Sequence, residues 1–184
     1  MKERNIRLIP IIDAGVKVEK GYPVYEEGVK NGYFCKRADG SDFVASVWPG
    51  DTHFPDVLNP EARRWFGGCY RPLIEQGIEG FWNDMNEPAI FYTPEGLEAA
   101  SRLMREYVED ETGTVSMFQV REALTGLQNH QDYYKAFYHQ IDGRMVRHDK
   151  VHNLFGCNMT RAADEGFERI APDKRFLLFS RSSY

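Results

Sequence analysis

The stretch Gly80–Pro88 (GFWNDMNEP) constrains the possible fold of this chain more than any other. It begins as an apolar strand, continues into two acids, Asp84 and Glu87, and is stopped by a proline. A buried strand that carries carboxylates at its C-terminal end is how parallel α/β enzymes present acid and base groups. Isolated Asp and Asn residues more often serve turns and helix caps. The adjacent tryptophan and the partners elsewhere in the chain favour the functional interpretation.

Two further apolar runs have the pattern of parallel strands buried on both faces, namely Ile6–Asp13 and Phe176–Phe179. Between the first run and Gly80, Asn59 and Pro60 begin a helix, and Pro72 predicts a kink or split in it. This order of strand, loop, helix and strand is typical of a right-handed parallel crossover. Three strands are too few to close a barrel, so we expect an α/β fold that is part of a larger one.

The segment Gly15–Asn59 is predicted to be an extended, turn-rich loop. Within it, Tyr33–Arg37 and Phe43–Trp48 flank Asp39-Gly40, which is typical of a β-hairpin. Trp48-Pro49-Gly50 closes that hairpin. A loop of this length between two elements of a parallel fold is more often functional than idle.

Residues 93–150 are predicted to form a helical insertion between a strand and the helix that follows it. Thr93-Pro94-Glu95 begins the first of three predicted helices. Apolar spacing predicts the other two, and the third helix contains Tyr134, Phe137, Tyr138 and Ile141. An amphipathic helix then begins near His152. The chain is therefore divided into residues 1–92 and 151–184, which belong to the parallel fold, and the insertion 93–150.

Alternation along a strand predicts which side chains share one face of the sheet. Trp82 and Asp84 lie on one face of their strand, and the same count places Asp13 on that face of the first strand. Arg181, which follows the third strand, could reach the same place. An arginine beside Asp84 would favour the ionised carboxylate that a nucleophile requires. By spacing alone, Arg181 is equally well explained as a surface residue.

Composition and charge exclude several classes of function. Acidic residues outnumber basic ones, 28 to 23, without long runs of one sign, so no nucleic-acid partner is expected. The longest apolar run is too short to cross a membrane, and residues 1–5 lack a signal-peptide pattern, which predicts a cytoplasmic location. Cys35, Cys69 and Cys157 are odd in number and widely spaced, so neither a disulfide framework nor a metal site is predicted.

Four motifs in order give the chain a family resemblance. Trp82–Pro88 resembles the nucleophile signature of family 31 glycoside hydrolases, the α-glucosidase group. The pair Trp48-Pro49-Gly50 and Phe54-Pro55-Asp56 resembles the segment that precedes that strand. His152–Gly156 is similar to the family's His-Asn-Leu-Tyr-Gly, with phenylalanine in place of tyrosine, and Phe179–Tyr184 is similar to its Arg-Ser-Thr/Ser-Phe/Tyr strand end. These motifs cover nearly the whole chain apart from the insertion.

The resemblance implies a partial (β/α)8 TIM barrel, of about three strands with their helices, from an enzyme that hydrolyses α-glycosidic bonds with retention. It implies that Asp84 is the nucleophile and that Glu87 supports it. The implied substrate is an α-glucoside or oligosaccharide, and no metal or organic cofactor is implied. The residues implied to bind the sugar are Asp13, Trp48, Trp82, Met85 and Arg181.

Retaining hydrolysis needs a second carboxyl group as proton donor. In the family this donor is an aspartate in a Gly-Asp motif on the strand after the Arg-Ser segment, which is expected downstream of Tyr184. The earlier barrel strands are likewise expected before Met1. The 184 residues are thus expected to hold the nucleophile half of a site without its acid.

Two alternatives stay open at this point. Asn86-Glu87-Pro88 also occurs at the fourth strand of many β-glycosidase barrels, where the glutamate is the general acid. The chain could instead be an inactive partial domain with at most weak sugar binding. The choice between α-1,4 and α-1,6 linkages, between hydrolysis and transfer, and the oligomeric state are not decided by the sequence.

Overall fold

The computed structural model describes residues 4, 6–128 and 130–181. The strands are β1 (Ile11–Asp13), β2 (Val16–Lys17), β3 (Ala45–Val47), β4 (Gly50–His53), β5 (Gly80–Asp84), β6 (Tyr138–Ile141), β7 (Arg144–Arg147) and β8 (Leu177–Ser180). The α-helices are α1 (Pro23–Asn31), α2 (Pro60–Gly68), α3 (Arg71–Glu75), α4 (Pro94–Glu109), α5 (Met117–Thr125) and α6 (His152–Ile170). Short 3-10 helices cover Gln131–Lys135 and His148–Lys150.

A three-stranded parallel sheet in the order β1-β5-β8 forms the centre of the structure. Helices α2 and α3 connect β1 to β5, and α6 packs beside them before β8. This arrangement confirms the predicted α/β fold, and three parallel strands are a part of a barrel and do not close one. The first strand is shorter than its apolar run, because Ile6–Pro10 lies outside the ladder and only Ile11–Asp13 pairs with β5.

A second sheet, β2-β4-β3, lies in the long loop and corrects the predicted hairpin. Gly40 forms the expected turn with positive φ, but a single bridge, Lys36 to Asp42, joins its two arms. The ladder forms instead between β3 and β4 around Trp48-Pro49. Beyond this bridge the first arm bonds to other segments, since the Cys35 N–H donates to the Phe54 carbonyl oxygen and Lys36 exchanges hydrogen bonds with Tyr138 of the insertion.

Helix α1 was not predicted, although the loop contains its signals. Pro23 occupies the first turn, where its missing N–H costs nothing. Gly32 ends the helix in the left-handed region at φ 69°, a conformation that glycine adopts without a Cβ clash. The segment expected to be extended therefore contains a proline that favours a helix start and a glycine that favours a helix end.

The start of the next helical region agrees with its prediction. Asn59 Oδ1 accepts a hydrogen bond from the Glu61 N–H at 3.0 Å, and Pro60 opens α2. Pro72 lies at the start of the separate helix α3, so the expected split is present. Across the described residues, the helices are all too short or too polar to cross a membrane.

The insertion is only partly helical. Thr93 caps α4 as predicted, through its hydroxyl and the Gly96 N–H. The predicted third helix is wrong, because Tyr138–Ile141 pairs with Arg144–Arg147 as an antiparallel hairpin. Its turn, Asp142-Gly143, has positive φ at both residues, as a two-residue hairpin turn requires, and this local signal overrides the helical spacing.

The core lies between the parallel sheet and the helices and is largely aromatic. Phe81 of β5 stacks on Phe167 of α6 at 5.1 Å between ring centroids, and Tyr70 packs edge-on against both rings. A second cluster of Phe43 and Phe137, stacked at 4.5 Å, joins the hairpin of the insertion to the long loop. The insertion is thus fastened to the rest of the fold through buried rings.

Helices α2 and α6 approach so closely that glycine is required at their contact. A Cβ added at Gly67 would overlap the carbonyl oxygen of Ala162, and one added at Gly166 would overlap the carbonyl oxygen of Gly67. Neither backbone can move aside without disturbing the aromatic core on the same helices. Gly68, the last residue of α2, meets nothing within 4 Å.

We therefore expect Gly166→Ala to lower the free energy of unfolding by about 1–3 kcal/mol, because the added methyl group overpacks a rigid helix contact. Gly68→Ala is the matched control and should raise stability by up to about 1 kcal/mol, since alanine favours the helix and has room. Guanidinium denaturation of the protein and both variants measures this. Equal effects of the two substitutions would contradict the packing explanation.

Candidate active site

The strand ends bring three charged residues to one edge of the parallel sheet. Asp13 is paired in register with Asp84, since β1 and β5 are hydrogen-bonded neighbours. Arg181 directly follows β8, which is the neighbour of β5 on its other side. Because all three strands are parallel, their carboxyl ends meet here. This edge is the candidate active site.

Arg181 binds the Asp84 carboxylate with two hydrogen bonds, and its Nη2 also lies 2.7 Å from Oδ1. Its Nε donates to Asp84 Oδ1 at 2.9 Å and its Nη2 donates to Oδ2 at 2.8 Å. Asp84 is only 7% exposed, whereas the arginine side chain is 59% exposed. A planar guanidinium paired with a carboxylate in this way fixes its orientation.

The loop after β5 is folded back on its own carboxylate. The Met85 N–H donates to Asp84 Oδ1 at 2.8 Å, and Met85 has positive φ at 54°. Asn86 is fully buried and donates from Nδ2 to Ser180 Oγ at 2.7 Å and, more weakly, to the carbonyl oxygen of Gly156 at 3.5 Å. The tight turn therefore joins Asp84 to β8 and to α6.

Behind the site, Asn83 is oriented by a residue that the sequence reasoning missed. The Tyr70 hydroxyl donates to Asn83 Oδ1 at 2.7 Å, and both residues are buried on the helix side of β5. Burial raises the pKa of the Tyr70 phenol well above its ordinary value, so it stays a donor. Strand alternation indicates that Asn83 faces the helices, but nothing in the sequence identifies Tyr70 as its partner.

The two tryptophans lie on different parts of the fold. Trp82 is in β5 and stacks on Phe179 of β8 at 5.2 Å between ring centroids, on the same strand face as Asp84. Trp48 lies in the β3–β4 turn, 73% exposed, with its ring edge-on to Phe91. The backbone of Phe91 is in turn hydrogen-bonded to Ser46, which places this turn beside the segment that follows Glu87.

Glu87 interacts with a different set of groups from Asp84. Its charge raises the pKa of Tyr134, although burial contributes more to that rise. It also raises the pKa of His152 against a larger lowering by burial. Glu87 therefore lies on the side of the insertion and of the first turn of α6. Ser182, Ser183 and Tyr184, which carry the end of the fourth motif, lie outside the described residues.

Asp13 is the carboxyl group that the site perturbs most clearly. Partial burial raises its pKa, the neighbouring Asp84 charge raises it further, and Arg181 lowers it. Two carboxylates on adjacent strands share one guanidinium, which pairs with Asp84. Ionised Asp13 is therefore a destabilising charge in the folded protein.

A possible metal-ligand cluster lies apart from this edge, in the buried part of the long loop. Cys35, Asp56 and His139 have ligand atoms within 4.8 Å of one another. Asp56 Oδ1 and His139 Nδ1 are already hydrogen-bonded at 2.7 Å. Burial, and then the charge of Asp56, raises the pKa of the Cys35 thiol well above its ordinary value, so no thiolate is favoured there. These contacts fit a hydrogen-bonded cluster better than a metal centre.

A cleft of 670 Å³ lies at the opposite, N-terminal end of the parallel strands and is lined by Ile6–Ile9, Gln76–Gly80 and Leu177. It holds none of the site residues described above. Because parallel α/β folds use the carboxyl ends of their strands for chemistry, this cleft is not the candidate site.

Comparison with known proteins adds a family and several relatives. The family described as "Glycosyl hydrolases family 31 TIM-barrel domain" matches residues 1–184. Alpha-glucosidase 2 of Bacillus thermoamyloliquefaciens is 32% identical over 184 residues, which are 100% of this chain and 19% of that protein. The alpha-glucosidase of Saccharolobus solfataricus is 30% identical over 185 residues, covering 100% of this chain and 24% of that protein.

Among solved structures, the glucosidase II alpha subunit in its Glc1Man2-bound form is similar, with a TM-score of 0.67 and 27% identity. The match covers 98% of this chain and 16% of that one. The chain therefore spans roughly a quarter or less of the length of the relatives that it matches.

We expect Asp13→Asn to raise the unfolding temperature at neutral pH, because it removes a carboxylate whose pKa is raised by burial and by Asp84. The folded state binds a proton here more readily than the unfolded state, so the gain should shrink as pH falls through the raised pKa. Asp39→Asn is the control and should lower the unfolding temperature at neutral pH. Hydrogen bonds from Ser41 lower the pKa of Asp39, so its ionised form is favoured in the folded protein. Thermal unfolding at several pH values measures both effects. A change of the unfolding temperature in the same direction for both variants would contradict this explanation.

Proposed function

The chain belongs to glycosyl hydrolase family 31, as a segment of that family's TIM-barrel domain, and on this premise we propose that its parent protein is a retaining α-glucosidase. The observation that carries the proposal is the Asp84 carboxylate, held by Arg181 at the carboxyl end of β5. A nucleophilic carboxylate must be held in a fixed orientation, and the paired guanidinium supplies that condition. The names of the two α-glucosidase relatives support the substrate class.

The hydrogen bonds of Asp84 distinguish its two oxygens. Oδ1 accepts from Arg181 Nε and from the Met85 N–H, whereas Oδ2 accepts from Arg181 Nη2. We assign Oδ2 as the attacking atom because it keeps more lone-pair capacity. In the first step it bonds to the anomeric carbon while the bond from that carbon to the leaving oxygen breaks. Water then attacks the glycosyl ester and releases Asp84.

The proton for the leaving oxygen comes from a second carboxyl group, at about 5–5.5 Å from the first in retaining enzymes. Following the family resemblance, we assign this acid to an aspartate on the strand after Arg181, outside these 184 residues. Asp13 keeps its proposed role as a sugar-binding residue, in register with the nucleophile. Glu87 supports the loop that holds Asp84 and does not attack.

The proposed substrate is an α-glucoside at the end of an oligosaccharide. We assign the sugar subsite to Asp13, Trp48, Trp82, Met85 and Arg181. Aromatic rings suit the apolar C–H faces of a sugar, and Trp82 lies on the same strand face as the nucleophile. The neighbouring structure bound to Glc1Man2 supports an oligosaccharide ligand.

We further propose that residues 1–92 and 151–184 are the barrel part and that 93–150 is an insertion that shapes the outer sugar subsites together with the long loop. The pairing of the insertion's hairpin with the loop at Lys36 supports a joint role of these two segments. A cytoplasmic location stays a prediction, in keeping with the free thiols of Cys35, Cys69 and Cys157.

The first prediction concerns covalent trapping in the full-length protein. A ring-fluorinated α-glucosyl fluoride should form a glycosyl ester on Asp84 with loss of fluoride. The ring fluorine slows both steps, but the good leaving group keeps the first step fast, so the ester accumulates. Asp84→Asn should abolish both the adduct and turnover. Mass spectrometry of a peptic digest locates the adduct.

Glu87→Gln and Asp13→Asn are the matched carboxylate controls, and both should still form the adduct on Asp84. An adduct on Glu87, or turnover of β-glucosides that Glu87→Gln removes, would favour the β-glycosidase alternative. If the intact, full-length protein neither hydrolyses α-glucosides nor forms the adduct, the proposed hydrolase function is wrong. Only the alternative of weak sugar binding would then remain.

The second prediction concerns Arg181. Arg181→Lys should lower kcat by about 10- to 100-fold, because lysine keeps the charge but cannot make both hydrogen bonds to Asp84. Arg161→Lys is the control, since Arg161 pairs with Glu165 on the exposed side of α6 and should leave kcat unchanged. Steady-state kinetics decides the point, and equal activity of the two variants would remove Arg181 from the proposed mechanism.

A further inference from the structure

Three histidines and an aspartate form an unbroken line of hydrogen bonds between the insertion and α6. Asp56 Oδ1 lies 2.7 Å from His139 Nδ1, and His139 Nε2 lies 2.8 Å from His148 Nδ1. His148 Nε2 lies 2.9 Å from His152 Nδ1. Asp56, His139 and His148 are buried and His152 is half-buried. We call these four residues the histidine network.

Asp56 sets the direction of the first bond in the network. Its Oδ1 accepts from His139 and its Oδ2 accepts from the Gln140 N–H at 2.7 Å, so both oxygens have donors. His139 therefore donates from Nδ1, and in the tautomer with this single proton its Nε2 accepts from His148. By the same count a neutral His148 ring accepts from His152. Burial, followed by its two histidine neighbours, lowers the pKa of His148 to about 2, which agrees with a neutral ring.

The network ends at a helix start that has no ordinary cap. Helix α6 begins at His152, with no side-chain hydrogen bond from Val151 and no acid in its first turn. The free N–H groups of a helix start usually require such partners. Here the His152 ring is bonded into the network, and the Glu87 charge acts on the same ring. A carboxylate at this place also complements the positive end of the helix dipole.

The same face of α6 holds the loop that follows the nucleophile. His152 and Gly156 are four residues apart and so lie on one face of the helix. The Gly156 carbonyl oxygen accepts from Asn86, and His152 interacts with Glu87. Both loop residues lie within three positions of Asp84, and Met85, which lies between Asp84 and Asn86, donates to that carboxylate. Displacement of the first turn of α6 therefore displaces the loop behind Asp84.

We propose, resting on the function proposed above, that the histidine network positions Met85–Glu87, and with it the Asp84 carboxylate, by fixing the first turn of α6 to Asp56. Its histidines are positioning residues and carry no proton in the reaction. Glutamine can replace the middle ring in this role, since its amide can donate to His139 and accept from His152. Phenylalanine keeps the ring volume against Phe137, which stacks on His148 at 4.2 Å, but makes neither bond.

The test compares His148→Phe and His148→Gln in the full-length protein. His148→Phe should lower kcat by about 10- to 100-fold with little change in KM, because the nucleophile is misplaced while the sugar contacts persist. It should also speed hydrogen–deuterium exchange in the peptides covering Met85–Glu87 and the first turn of α6. His148→Gln should restore both readouts to near wild type. His130→Gln, at an exposed histidine outside the network, is the control and should change neither.

Unchanged exchange and kcat in folded His148→Phe would overturn the proposal, as would a failure of His148→Gln to restore them. If His148→Phe does not fold, the pair His152→Leu and His152→Asn gives the same comparison at the half-buried end, since asparagine keeps the donor to His148. Wild-type protein without α-glucosidase activity would refute the proposed function alone. The exchange data would then still decide whether the network holds the loop.

Discussion

The hydrogen-bonded register of β1, β5 and β8 is the constraint on which the candidate site depends. Because the strands are parallel and Asp13 is aligned with Asp84, two carboxylates reach the same edge of the sheet. Such a pair is unfavourable without a cation, and β8 supplies Arg181 from the other side of β5. A slip of one residue in either pairing would turn these side chains towards the helices and break the site.

The opposite face of the sheet explains why this register is stable. Phe81 and Asn83 point towards the helices. There Phe81 stacks on the Phe167 ring, and Asn83 accepts a hydrogen bond from the Tyr70 hydroxyl. Glycines at the contact of α2 and α6 let the two helices approach closely beside this layer. The polar edge and the aromatic core are therefore two sides of the same strand, and the core stabilises an arrangement of charges that is costly alone.

Much of this could be predicted from the sequence, because it depends on local rules. The apolar runs and their terminal acids indicate the parallel strands, and Asn59 and Thr93 mark the helix starts. The missing parts depend on partners distant in sequence. Lys36 pairs with Tyr138 of the insertion, and the longer ladder of this loop forms around Trp48-Pro49. The bond between Tyr70 and Asn83, and the line of histidines behind Glu87, likewise depend on tertiary contacts that spacing does not reveal.

The central claim is that Asp84 attacks the anomeric carbon, so that a second displacement by water restores its configuration. The most direct measurement is proton NMR of the first sugar released from an α-glucoside by the full-length protein, recorded before the anomers interconvert. With Asp84 as the nucleophile, α-glucose should appear first, and the β-anomer should grow in only by mutarotation. If β-glucose appears first, water attacks directly, Asp84 is not a covalent nucleophile, and the account is contradicted.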